Sequence, residues 1–159
     1  MNTLMRTAFV LSAAMAVCPL HAQYGAPEPI YAQRLVNGIV QKYPDLLVVA
    51  MHVTPPNESE NVLIASNIGR IGKRADVEDL RVIRTGEMIA KVNKNGDRFE
   101  VELVLLDASR KPIGALALVF PYKPGDQASQ FKKRATMIRD ELAGEIPELA
   151  KLMKPSRLE

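Results

Sequence analysis

Residues 98–120 read RFEVELVLLDASRKPIGALALVF. Phe99, Val101, Leu103 and Leu105 fall on one side and Arg98, Glu100 and Glu102 on the other, the two-residue period of a strand. Asp107 to Lys111 (DASRK) reads as a turn, and Pro112 to Phe120 as the strand that follows it. Pro121 and Pro124-Gly125 close that strand. Upstream, Glu87 to Val92 is a third strand, joined through Asn95-Gly96. That dipeptide predicts a hairpin with a type I′ turn, in which both central residues take positive φ. The C-terminal half is therefore a three-strand meander.

Working outward, a helix is expected from about Asp126, with Phe131, Ala135, Ile138, Leu142 and Ile146 as its stripe. Gly144 and Pro147 interrupt it, and Leu149, Leu152 and Met153 make a last amphipathic turn or two. On the other side, Asn67 to Thr85 has no clean alternation; Asp76 to Val82 reads as a short helix whose entry Gly69 and Gly72 loosen. Leu46 to Val53 (LLVVAMHV) is the most apolar stretch after residue 22, and it is bounded by prolines. It reads as a central strand buried on both faces. Thr54 to Asn61 is a turn and Val62 to Ser66 a shorter strand. A helix from about Glu28 to Tyr43 precedes them, with Tyr31, Leu35, Val36, Ile39, Val40 and Tyr43 in one stripe and Pro44 as its end. The order predicts an α+β domain: five strands in one antiparallel sheet, terminal helices on one face and the crossover on the other.

Met1 to Ala22 reads as a secretory signal peptide. Arg6 supplies its charge, Ala8 to Val17 its apolar run, and Ala22 the small residue before cleavage. Lipidation at Cys18 and an uncleaved anchor are the alternatives, and Val17 is bulky where a lipidation signal has a small residue. Residues 23–29 (QYGAPEP) read as a flexible leader and 30–159 as one domain. Export implies a periplasmic or secreted protein, with no membrane span after the signal.

The whole chain has 159 residues, 21 Lys and Arg against 18 Asp and Glu, one Cys, two His and no Trp. A net charge of +3 is no nucleic-acid footprint, and 5% aromatics give no base-stacking platform. One Cys, lost with the signal, excludes a disulfide framework, a thiolate metal site and a Cys nucleophile in the mature chain.

The element order, with the strand–Asp turn–"IG"–strand pattern of Phe99 to Phe120, resembles the PAS/Cache superfamily, specifically its small exported single-Cache-type domains. The resemblance spans about 100 residues and rests on structural motifs. It implies a sheet of order 2-1-5-4-3 and a ligand pocket between sheet and crossover. Against the common receptor version, the reading expects a free exported domain, with no transmembrane helix or signalling module attached, and the crossover shows no aromatic-rich amino-acid-binding run.

The segment Ser66-Asn67-Ile68-Gly69-Arg70-Ile71-Gly72-Lys73-Arg74 joins the second strand to the crossover, where the resemblance puts the pocket wall. Ser66, Asn67, Arg70, Lys73 and Arg74 are accordingly candidate ligand-binding residues, suited to a small anionic ligand. Their bland alternative is a solvated basic loop neutralised by Asp76, Glu78 and Asp79. His52 is a further candidate, or else a hydrogen-bonded core residue. Gly114, Ala115 and Ala117 either leave a cavity or admit a close neighbour. Glu100 and Glu102 read as solvated, opposite the apolar face. No Gly-x-Ser-x-Gly elbow is present, and neither a catalytic residue, a metal ligand nor a cofactor is assigned. The expectation is an exported, non-enzymatic, sensor-like domain that binds a small molecule, with a membrane protein as a candidate partner. The alternative is a periplasmic protein-interaction or dimerisation module without a ligand, with the Phe131 to Ile146 stripe as a surface for a homodimer through the terminal helices or for another partner.

Overall fold

The apolar run after Pro44 becomes β1 (Val48–Val53), flanked by β2 (Val62–Ser66) and β5 (Pro112–Pro121). The meander supplies β3 (Ile89–Val92) and β4 (Arg98–Leu106). The computed structural model describes residues 28–156, so the signal and most of the leader lie outside the described residues. The five strands form one sheet in the order β2-β1-β5-β4-β3, with every neighbouring pair antiparallel. This is the α+β architecture and strand order expected above.

Helix α1 (Tyr31–Lys42) buries Tyr31, Ala32, Leu35, Val36 and Ile39 against β1 and β2. It begins after Pro29 rather than at Glu28, because the preceding residues pair elsewhere. Ser156 N donates to the Pro29 carbonyl at 2.9 Å, and Tyr31 N to the Lys154 carbonyl at 2.8 Å. Pro29, assigned to a flexible leader by its composition, is thus tied to the C-terminal segment. Helix α3 (Ala128–Glu145) lies on β4 and β5. Ala135, Ile138, Leu142 and Ile146 are buried there, and Phe131 stacks on Phe99 at 4.8 Å and meets Phe120 at 5.5 Å. The stripe expected to pair two subunits therefore faces its own sheet. A short α4 (Leu149–Leu152) completes this layer.

The β3–β4 hairpin forms, but its turn is not type I′. Gly96 N donates to the Asn93 carbonyl at 3.1 Å, so Lys94 and Asn95 are the central residues. Gly96 follows at φ +72°, whereas Asn95 has no positive φ. This is a type I turn followed by a left-handed glycine, with Asn93 Oδ1 accepting from Asp97 N and Arg98 N. The Asn93 side chain shifts the turn one residue upstream.

Among the described residues, the one helix on the opposite sheet face is α2 (Val77–Thr85), which packs on β4 and β5. α2 buries Asp79 and Val82, while Val77 stays 81% exposed. So thin a layer leaves part of the sheet uncovered. No helix among the described residues is long and apolar enough to cross a membrane.

Candidate functional site

The face under α2 is read directly from the strand register. Ser66, Ala50, Ala117, Glu102 and Ile89 form one cross-strand row. His52, Ala115 and Val104 form the row on one side, and Val48, Val119, Glu100 and Lys91 the row on the other. The alanines between His52 and Glu102 lower the floor and leave room for α2 above. Ala115 is fully buried and packs with Val82. Gly114 serves close approach instead: a Cβ there would stand 2.1 Å from the His52 carbonyl oxygen.

The first turn of α2 aims two carboxylates at this floor. Asp76 Oδ1 accepts from Glu78 N at 3.0 Å and Asp79 N at 3.2 Å, while Asp76 N donates to Asp79 Oδ2 at 3.0 Å. The reciprocal box holds both side chains. Asp79 is 2% exposed, and its Oδ1 lies 3.3 Å from His52 Nδ1. The two touch without hydrogen-bond alignment, so His52 Nδ1 has no hydrogen-bond partner. Burial favours the neutral form of each: it lowers the His52 pKa despite the attraction of Asp79 and Asp76. It raises that of Asp79 despite the hydrogen bond from the Asp76 backbone and the pull of His52.

Glu102 is not solvated. It is half-buried beneath α2, and its Oε2 is buried without a hydrogen-bond partner. Burial, reinforced by Asp79, Asp76 and Glu78, pushes its pKa up to about 7; Lys91 opposes this. One carboxylate oxygen from each of Asp76, Asp79 and Glu102 lies within 4.8 Å of the others, a spacing that could hold a cation. Neither Glu102 nor the Asp76–Asp79 pair was among the sequence candidates.

Asp76 and Glu102 also line an open groove of about 410 Å³, with Ala117 and Val119 on its floor. Arg70 and Arg98 reach the same groove, and neither makes an ion pair among the described residues. Lys91 lines it too but is committed to Glu78. Arg70 stands at φ +65° between Gly69 and Gly72, both also at positive φ, so the loop turns sharply here.

The other sequence candidates are placed differently. Asn67 completes the sheet edge: Val49 N donates to its Oδ1 at 2.9 Å, and its Nδ2 to the Leu47 carbonyl at 3.1 Å. Ser66 Oγ accepts from Ile68 N, and the Ser66 backbone is held by Gln33. Arg74 pairs with Glu60 at 2.8 Å, away from the groove. Lys73 is exposed; its charge adds to the burial that lowers the His52 pKa and opposes the burial that raises that of Asp79. The structure therefore brings His52 and Arg70 to the α2 face and gives Ser66, Asn67 and Arg74 local bonding roles. A second open recess, about 510 Å³ beside Thr54, Ile83, Lys111 and Glu148, contains none of these candidates. The acid and guanidinium cluster makes the groove the chemically distinctive one.

No family model and no curated protein matches the chain. Among solved structures it is similar to the inducer-binding domain of the PobR transcription factor from Acinetobacter, a double mutant in complex with 3-hydroxybenzoic acid. That match has a TM-score of 0.50 and 14% identity, over 76% of this chain and 98% of that one. It is similar to the Agobacterium tumefaciens repressor BlcR (TM-score 0.49, 12% identity, 74% of this chain and 67% of that one). A type II free methionine-R-sulfoxide reductase from Thermoplasma acidophilum also aligns (TM-score 0.46, 13% identity, 72% of this chain and 89% of that one). The first likeness shows a shared fold, compatible with a PAS-like one.

Proposed function

We propose that the chain is an exported, non-enzymatic domain of PAS/Cache-like type that binds a small organic anion in the groove between sheet and α2. One observation carries this reading: Arg70 and Arg98, two guanidiniums without an ion-pair partner among the described residues, line the same groove of about 410 Å³ over a floor of small and aliphatic residues. A guanidinium fork suits a carboxylate, and the apolar floor suits the body of the ligand. The PobR domain is a neighbour of the same fold in complex with a carboxylic acid. Export rests on Arg6, the apolar run to Val17 and Ala22.

The test is native mass spectrometry of chain secreted into a periplasm, before and after unfolding, together with melting shifts in a panel of organic acids that includes 3-hydroxybenzoate. A bound mass or a stabilising acid is expected, lost in Arg70→Ala/Arg98→Ala. An empty protein that no acid stabilises sinks the reading.

Ile68, Ile71, Val77 and Leu80 favour a second reading, an interaction module. All four are between 45% and 81% exposed around the crossover. A monomer at every concentration in light scattering would remove self-association through this surface.

A further inference from the structure

We infer that Asp76, Asp79 and Glu102, with His52 behind Asp79, form a site for one divalent transition-metal ion of the zinc type. The three carboxylates converge within 4.8 Å, and hydrogen bonding does not exhaust them. Asp76 commits Oδ1 to the helix cap and Asp79 commits Oδ2, which leaves one oxygen on each. Glu102 Oε2 is buried with no hydrogen bond.

The second observation is His52. Its side chain is 8% exposed, its Nδ1 makes no hydrogen bond, and that nitrogen is 3.3 Å from the free Asp79 Oδ1. Two donors on one tetrahedral zinc, at bond lengths of about 2.0–2.1 Å, stand about 3.3 Å apart. The His52–Asp79 pair thus already has the separation of one ligand edge. Asp76 and Glu102 come from the helix terminus and the groove wall, and an ion bound to the His52–Asp79 edge would have to draw in their oxygens, which lie within 4.8 Å of that of Asp79.

The charge balance points the same way. Lys91 is paired with Glu78, Lys73 is exposed on the loop, and Arg70 and Arg98 line the groove without an ion pair to any of the three acids among the described residues. A dication supplies the counter-charge that three converging carboxylates lack. The Asp76–Asp79 cap is the kind of outer-shell bonding that orients metal ligands. A nitrogen among oxygens favours Zn²⁺ over Ca²⁺ or Mg²⁺, which take oxygen ligands. The site shares a wall with the groove yet needs no organic ligand, so metal alone is the probe.

Untagged full chain is stripped with EDTA and titrated with Zn²⁺ by calorimetry, with native mass spectrometry for stoichiometry. One Zn²⁺ per chain is expected, bound roughly tenfold or more tighter than Ca²⁺ and weakened at least about tenfold by Glu102→Gln and by His52→Asn. Glu102 is only half-buried, so Glu102→Gln keeps the fold even if His52→Asn does not. Co²⁺ bound in the same place should give visible absorption bands that change in His52→Asn. The inference is overturned by the absence of Zn²⁺ binding, by unchanged binding in Glu102→Gln, or by Ca²⁺ bound as tightly as Zn²⁺. Zn²⁺ bound by a chain that no organic acid stabilises leaves this site standing and removes the anion reading; stabilisation by an acid with no Zn²⁺ bound does the opposite.

Discussion

Alanine at Gly114 should damage the sheet at its centre, whereas alanine at Gly38 should strengthen the protein. Gly114 sits on β5 opposite Val53 of β1. A methyl there meets the His52 carbonyl oxygen at 2.1 Å and Val53 Cγ1 at 2.9 Å. An ordinary carbon–oxygen contact is about 3.3 Å or longer, so the strands would have to part by roughly 1 Å. The obstacle is backbone fixed by β-ladders on both sides of β1, and no rotamer change relieves it. Overpacking costs about 1–3 kcal/mol where side chains can adjust. A backbone collision belongs at the upper end, about 3 kcal/mol or more. Gly38 is exposed in α1, and a methyl there meets nothing within 4 Å. Its exchange only narrows the unfolded ensemble and should add about 0.5–1 kcal/mol. Urea unfolding followed by circular dichroism measures both, provided the slope is unchanged. A loss below about 1 kcal/mol at Gly114, or any loss at Gly38, would refute the close-approach reasoning.

Glu102 has a raised pKa of about 7 in the folded chain against an ordinary 4.5, so its contribution is full below about pH 4.5 and is lost as pH rises through 7. In EDTA, Glu102→Gln should therefore gain on the native chain by about 1–2 kcal/mol between pH 4.5 and 8, allowing for solvent screening; parallel pH–stability curves would contradict this. Asp45 has the opposite sign: its hydrogen bond from Arg134 lowers its pKa, so the stability it adds is present above about pH 4 and lost in acid. Asp45→Asn should cost under about 1 kcal/mol at pH 7 and nothing at pH 2, measured by thermal melting. Asn67→Ala removes the hydrogen bonds to the Val49 and Leu47 backbone and should cost about 1–2 kcal/mol while leaving Zn²⁺ and acid binding intact; a binding defect in folded Asn67→Ala would place Asn67 in the site.

The fold was legible wherever one residue type dictated local backbone. Proline boundaries and the β-branched run from Leu46 gave β1, and the alternation from Arg98 gave β4 with its observed limits. Errors arose where a side chain or a distant segment competed with the local rule. Asn95-Gly96 has the composition of a type I′ turn, but Asn93 Oδ1 accepts two backbone amides and moves the turn upstream. Pro29 looked suited to the first turn of α1, but its carbonyl is taken by Ser156, at the far end of the chain. The α3 stripe was correctly drawn; only the sheet that receives it was invisible as a partner.

The acid cluster was hidden for a different reason. Asp76 and Asp79 stand beside Arg70, Lys73 and Arg74, so local charge counting assigned them to neutralise that loop. Their spacing already marked a capping box, which turns Asp79 inward instead. Glu102 was read as solvated because it alternates with an apolar face. Yet the face it shares changes character along β4: Arg98 and Glu100 give way to Glu102, then to Val104 and Leu106. A strand face that ends apolar must be covered at that end, and a crossover that covers it must reach the last charged residue before it. Glu102 therefore had to sit at the margin of α2, where water is partly excluded and a carboxylate needs a partner. What the pattern could not supply is which groups meet it there. His52 lies two strands away in the sheet, and only the β1-β5-β4 order sets both beneath one helical turn.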